Sequence, residues 1–278
     1  MKSGKMQSAV LRSLVYIAAS TTVAVLAFII GYILFKGVPH LSWKLFSLHY
    51  TSDNVSMLPA MVNTVSITVL SLLIAAPVGI FSAIYLVEYA RKGNRFVSII
   101  RTTAETLAGI PSIVYGLFGY LMFVVALGWG YSLIAGAATL AIMILPVIMR
   151  TTEEALKSVP DIYREGSFGL GAGKLRTVFK IVLPSAVPGI LAGVVLSVGR
   201  IVGETAALIY TAGTVAQIPS NLAESGRTMS VHMYSLWKEG FNADASYATA
   251  VVLLIIVIGL NTLSAYVARR FTKGKIDG

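Results

Sequence analysis

Six long apolar stretches, separated by short polar and basic segments, dominate the chain. They run over roughly 15–35, 61–87, 108–127, 132–149, 187–211 and 247–268. Crossing a bilayer takes about 20 apolar residues in a helix. Lipid leaves only helices and closed barrels as spanning structures, because backbone polar groups must be satisfied internally. The pattern therefore predicts an all-α polytopic membrane protein with six transmembrane helices. Pro77 and Gly79 are expected to kink the second span. Gly109 and Pro111 stand at the start of the third and predict a broken or bent entry. The fourth is short and is expected to end between Pro146 and Arg150. Lys2, Lys5 and Arg12 precede the first span, as in a signal peptide. Its apolar core exceeds the usual 7–15 residues or so, and no A-x-A site follows, so it reads as a retained helix.

The longest polar interruption inside this pattern, residues 150–186, has helical order of its own. Thr152 is expected to cap a short helix carrying Glu153, Glu154 and Lys157, stopped by Pro160. Asp161 is expected to cap a second short helix. Gly169, Gly171 and Gly173 would end it and allow a sharp turn. Leu175, Val178, Phe179 and Val182 then fall at i, i+3, i+4 and i+7, one apolar stripe of an amphipathic helix. Pro184 and Pro188 are expected to end that helix or kink it into the fifth span. By composition alone such a hairpin could lie on lipid headgroups.

Composition agrees with the pattern. The chain has 278 residues, 56% of them hydrophobic and 12% charged, with mean hydropathy +0.80. A soluble domain carries about 25% charged residues. The net charge of +10 is a topology signal rather than a nucleic-acid footprint. Of 22 basic residues, 17 fall in segments 1–14, 88–107, 150–186 and the C-terminal tail. With six spans these all lie on one side, so the positive-inside rule puts both termini in the cytoplasm. The opposite side holds Lys36, Lys44, Arg227 and Lys238. The absence of cysteine excludes disulfides and thiolate metal sites. His40, His49 and His232 lack metal-ligand spacing and are expected on polar loops. No metal site is predicted.

Arg200 is the one basic residue inside a span. A charge near the bilayer centre costs roughly 3 kcal/mol on insertion scales, so it should face a bundle interior or an aqueous cavity. Glu204, one turn on, is placed to pair with it. Two readings follow. The pair could fix helix register, or Arg200 could contact a passing oxyanion, whose geometry a guanidinium matches bidentately. The spacings Gly189-x-x-x-Gly193 and Gly199-x-x-x-Gly203 suit close helix approach. Gly109, Pro111 and Ser112 could either expose backbone N–H groups to an anion at a broken helix or make a plain kink.

The run Glu165-Gly166-Ser167, three residues, Gly171, nine residues, Ile181-x-Leu183-Pro184 resembles the EAA loop of the membrane subunits of bacterial ABC importers. Gly166 and Ser167 stand where that motif has alanines. The resemblance implies a type I importer permease (MetI-like) bundle, a permease domain over 57–270, and a cytoplasmic coupling loop at 150–186. Residues 1–56 would add the first span and a periplasmic segment, and 271–278 a cytoplasmic tail. It also implies that residues 161–173 fill a groove in an ATPase subunit. Arg164, Glu165, Gly166, Ser167, Gly171, Ile181, Leu183 and Pro184 would be the coupling residues, with Glu165 meeting a basic group of the ATPase. Gly171-Ala172-Gly173-Lys174 is not a P-loop: Phe168 and Leu175 stand where glycine and Ser/Thr are needed. The chain is thus expected to be no enzyme and to hold no cofactor, with ATP and Mg²⁺ on a partner.

Leu107–Gly116 (LAGIPSIVYG) and Gly199–Ala206 (GRIVGETA) resemble the phosphate importer permeases. MLPAMVNT, IYLVEYA and VHMYSL look more like the PstA type than its PstC partner. The implied machine sits in a bacterial or archaeal inner membrane. It has a second, PstC-like permease, a PstB-like ATPase dimer and a PstS-like periplasmic phosphate-binding protein. Arg200, Glu204 and Ser112 would line the solute pathway, with Gly109, Pro111, Gly199 and Gly203 serving packing or kinks. A sulfate or molybdate importer is the alternative.

Overall fold

The computed structural model describes residues 2–91, 93–240 and 242–273, and among these there is no strand. The first helix, α1 (Lys2–Gly37), leads through short 3₁₀ turns at Val38–His40 and Trp43–Phe46 to α2 (Leu58–Ile84). A π-helical turn, Tyr85–Tyr89, ends α2. Next come α3 (Arg95–Ala108) and α4 (Ser112–Gly119), the latter extended by a π turn over Tyr120–Ala126. The long α5 (Leu133–Lys157) and the short α6 (Asp161–Gly169) follow. A single turn of helix, α7 (Lys174–Thr177), runs through the π turn Val178–Val182 into α8 (Leu183–Val202). The chain closes with α9 (Ala206–Thr211), α10 (Met229–Glu239) and α11 (Ala243–Lys273).

Five helices are long and apolar enough to cross a bilayer, and α3 with α4, bent by 104°, makes a sixth if counted as one span. The break falls at Gly109–Pro111, as the sequence predicts. Tyr115 pins it by donating its hydroxyl to the Leu107 carbonyl at 2.7 Å, which also accepts the Ile110 N–H. The expected kink in the second span is absent as a break: α2 is one helix through Pro77 and Gly79. Gly79 serves packing instead, since a Cβ there would stand 3.0 Å from Ile148.

Two span boundaries differ from the apolar pattern. The fourth span does not end at Pro146–Arg150; α5 continues to Lys157, with Thr152 buried inside it rather than capping a new helix. The fifth span begins at Lys174, thirteen residues before the apolar stretch, and stops at Val202. Pro184 and Pro188 do not end it, because Pro184 lies in the first turn of α8 and Pro188 within the helix that follows. Helices continue past the lipid where caps and ion pairs, not hydropathy, set their ends.

Packing is organised in three levels. At mid-depth α2, α5 and α9 bury Ile67, Leu140, Met143, Ile144, Ile148 and Leu208. One end is closed by Ile84, Leu86, Val97, Leu156, Val178 and Val182. The other is closed by Leu45, Met57, Ala60, Met229 and Ala248. Helix α1 stays outside this core and meets mainly α11. Helices α5 and α8 run antiparallel in close contact: Gly189 packs against Ala155, and Gly193 against Thr151. The absent side chains let the backbones approach, as small residues do in lipid.

Candidate functional site

The hairpin after α5 is built from side-chain anchors. Helix α6 turns two residues inward, Arg164 and Ser167, and exposes Ile162, Tyr163, Glu165 and Phe168. Ser167 Oγ lies 2.8 Å from Thr177 Oγ1, tying α6 to the base of the fifth span. Gly171 takes φ +81°, the left-handed region that favours glycine, and turns the chain between α6 and α7. Asp161 does not cap α6; Pro160 holds that position, and the Asp161 carboxylate accepts from Arg164 at 3.0 Å. The expected apolar stripe is split. Val178 and Val182 are buried in the core, whereas Leu175 is 66% exposed and Phe179 39%. Leu170 is 91% exposed at the tip. A cleft of about 290 Å³, lined by Ser167, Leu170, Gly171, Ala172, Arg176, Lys180 and Ile181, opens behind it.

Arg164 is not part of that exposed surface. Its guanidinium donates to Glu88 Oε1 at 2.7 and 3.2 Å, to the Leu156 carbonyl at 2.9 Å and to the Val159 carbonyl at 2.8 Å. Its side chain is only 15% exposed and that of Glu88 only 7%. The residue assigned by sequence to partner contact therefore holds α6 onto its own chain. Glu165, Gly166 and Leu170 carry the free face.

The second site lies in the membrane, where two helix breaks face each other. The α3–α4 break sits at Gly109–Pro111, and α8 stops at Gly203 before α9 begins at Ala206. Helices α4 and α9 pack tightly: a Cβ on Gly116 would stand 2.8 Å from Ala207 Cα. Extending the α5–α8 register brings Arg200 level with Ile144, midway along the apolar part of α5. Arg200 is half-buried and within electrostatic reach of Tyr115. Among the described residues it has no hydrogen-bond or ion-pair partner in the chain.

Glu204 does not pair with Arg200. Its Oε1 accepts the Ala207 N–H at 3.1 Å and so caps α9, while its backbone carbonyl accepts from Ser230 Oγ at 2.5 Å. A carboxylate at a helix N-terminus satisfies a free donor and the helix dipole together. That use competes with the one-turn pairing the sequence suggests. Gly199 and Gly203 make no helix contact either: a Cβ at Gly199 would meet nothing within 4 Å, and Gly203 ends α8. Two clefts flank the breaks. One of about 380 Å³ is lined by Ala108 and Leu196 among others, and the other, of about 770 Å³, by Ile113, Thr205 and Tyr210. Arg200 and Ser112 lie, along both helical segments, between residues lining the two clefts.

Residues 75–275 match the family of binding-protein-dependent transport system inner membrane components. The chain belongs to that family. Among its relatives is the probable ABC transporter permease protein YqgI of Bacillus subtilis, 33% identical over 92% of this chain and 93% of that one. Phosphate transport system permease protein PstA of Haemophilus influenzae is 32% identical, over 92% of each chain. PstA 2 of Mycobacterium tuberculosis is 34% identical over 84% of this chain and 80% of that one. Two solved transporters share the fold. One is a bacterial alginate ABC transporter in complex with its alginate-bound periplasmic protein, with TM-score 0.69 and 17% identity over 94% of this chain and 96% of that one. The other is the MetNI methionine ABC transporter, with TM-score 0.59 and 21% identity over 77% of this chain and 93% of that one. The fold is the MetI-like helical bundle, and as a member of this family the chain is a multi-pass transport component rather than an enzyme.

Several residues of this inner-membrane component escaped the sequence reading. Glu153, 8% exposed in its side chain, binds Arg101 of α3 at 2.6 Å and Lys157 at 2.6 Å, fastening α3 to α5. On the opposite end His232 is wholly buried in α10, not on a polar loop. Burial first, and the Arg227 charge second, push its pKa down to about 3, with the Val55 backbone pulling weakly upward. Arg227 is itself buried and lies over the Tyr50 ring at 4.6 Å, a cation–π contact. Only the uneven apolar spacing of α10 could have hinted at this. Among the described residues no group of three or more His, Asp or Glu is placed to hold a metal.

Proposed function

We propose that the chain is the permease subunit of an ATP-driven phosphate importer. The observation that carries this is the pairing of phosphate-permease relatives over most of the chain with an unpartnered arginine at a double helix break. An arginine held at mid-membrane without an internal acid is available to an oxyanion, and a guanidinium suits phosphate geometry. Ser112 opens α4 at the facing break, where backbone N–H groups are free of helical partners. Glu204 caps α9 beside this site rather than tempering Arg200.

Both termini and the α5–α7 hairpin lie in the cytoplasm, by the distribution of basic residues. A second, PstC-like permease completes the pathway. A PstB-like ATPase dimer takes the exposed face of α6 (Ile162, Tyr163, Glu165 to Gly171) in its grooves, and Ile181, Leu183 and Pro184 carry the motion into α8. Nucleotide and Mg²⁺ bind the ATPase; this chain needs no cofactor. A PstS-like binding protein delivers phosphate to segments 36–60 and 212–246. ATP binding opens the pathway outward, phosphate passes Arg200, and hydrolysis returns the pathway to the cell interior. Uptake of radiolabelled phosphate by the reconstituted four-component complex tests this reading. Saturable, ATP-dependent uptake that excess sulfate or molybdate leaves intact is expected; import of those anions instead refutes the cargo.

A further inference from the structure

Helix α6 is joined to its own chain at two points, and they lead to different spans. Ser167 meets Thr177 at 2.8 Å, below α8 and hence below Arg200. Arg164, one turn earlier, reaches the carbonyls of Leu156 and Val159 at the end of α5, and Glu88 in the π turn that ends α2. Among the described residues, Arg164–Glu88 is the one ion pair between α6 and the α2 end. Five residues separate that turn from α3, which Arg101 fastens to Glu153 of α5 before the Gly109–Pro111 break. An exposed pair would be a loose tether. Here both side chains are largely shielded from solvent, and one carboxylate oxygen takes two guanidinium N–H groups. Such a pair resists separation, because parting it strands both charges.

We infer that Arg164–Glu88 is a positioning pair that delivers displacement of α6 to the α2–α3 elbow, while Ser167–Thr177 delivers the same displacement to α8. The two breaks beside Arg200 then move together: one is driven from the α3 side, the other from the α8 side. A nine-residue helix resting on a partner and bound to two lever arms is the discrete element such coupling requires. The inference rests on the importer reading above, and it adds residue roles that the docking motif does not contain.

The test uses the assembled transporter in lipid vesicles with Glu88→Gln, Glu88→Asp and Arg164→Lys. Glu88→Gln is expected to assemble and to hydrolyse ATP at a rate within about twofold of wild type. Its phosphate imported per ATP should fall at least tenfold, and Glu88→Asp, which keeps a carboxylate, should retain much of the wild-type ratio. An unchanged ratio in Glu88→Gln, or import and hydrolysis falling in proportion, overturns the inference. If Glu88→Gln fails to assemble, Arg164→Lys decides: one ammonium cannot hold Glu88 and both carbonyls at once, so an unchanged ratio of import to hydrolysis there overturns the inference. A second readout needs no cargo. The chain has no cysteine, so spin labels at Thr103 on α3 and Leu196 on α8, both exposed, report on the elbow. ATP with vanadate should shift their distance in wild type and not in Glu88→Gln; no shift in wild type, or an equal one in both, refutes the linkage. A wild-type complex that shows the shift but imports no phosphate refutes the cargo alone.

Discussion

Replacing Gly116 with alanine tests whether close contact of α4 with α9 holds the two breaks in register. The added Cβ would fall 2.8 Å from Ala207 Cα, 3.2 Å from the Ala206 carbonyl and 3.2 Å from the Tyr210 ring. Carbon atoms pack best at about 3.5–4.0 Å, so the helices must part by roughly 1 Å. Two of the three neighbours are backbone and cannot rotate away. Overpacking of this kind costs about 1–3 kcal/mol. Gly31 supplies the control: a Cβ there meets nothing within 4 Å, and it lies on α1, outside the core. Alanine at that position should gain up to about 1 kcal/mol from helix propensity. The assay is the temperature at which half of the detergent-purified complex loses its monodisperse peak, together with initial uptake rate. Gly116→Ala should lower both, and Gly31→Ala should lower neither. Equal tolerance of the two substitutions would refute the packing argument.

Four further outcomes follow from the same structure. Glu153→Gln should cost about 1–2 kcal/mol, since a buried carboxylate loses its charge between two cations. Glu154→Gln, whose pair with Arg150 is 65% exposed on each side, should cost under about 0.5 kcal/mol in the same melting assay. His232 makes stability depend on pH: its folded value near 3 lies below the free value of 6.5, so the unfolded chain takes the proton first as pH falls. Stability is full above pH 6.5 and declines between 6.5 and 3, by up to about 1.4 kcal/mol per unit; His232→Phe should flatten that slope between pH 7 and 5. Ser167→Ala leaves Thr177 bonded to the Gly173 carbonyl, so it should cost about 1 kcal/mol or less and lower uptake more than stability.

The parts of the fold written in local pattern were legible in the sequence. Apolar run length located the five long spanning helices and α4 of the bent pair, and Gly109 with Pro111 marked the 104° break because proline and glycine act on their own backbone. Gly171 likewise announced its left-handed turn. What local pattern could not carry was any partner chosen in three dimensions. Glu88 and Arg164 are 76 residues apart, and nothing in their neighbourhoods names the other. Arg200 and Glu204 show the reverse error. Their one-turn spacing suggested a pair, but the helix ends between them, and Glu204 serves the next helix instead. Hydropathy misplaced the C-terminal end of α5 and the start of the fifth span because helices outrun the lipid. There, buried Glu153 and the Arg164 fork hold polar segments that read as loop.

The most direct measurement is ATP-driven uptake of radiolabelled phosphate by the reconstituted complex, wild type against Arg200→Ala, with complex assembly checked in the same sample. The account predicts phosphate-specific uptake in wild type. Arg200→Ala should reduce it at least tenfold, as loss of a charge-assisted contact of about 1.5–3 kcal/mol implies, with the complex intact. Wild-type uptake carried by an intact Arg200→Ala complex at an unchanged rate would contradict it.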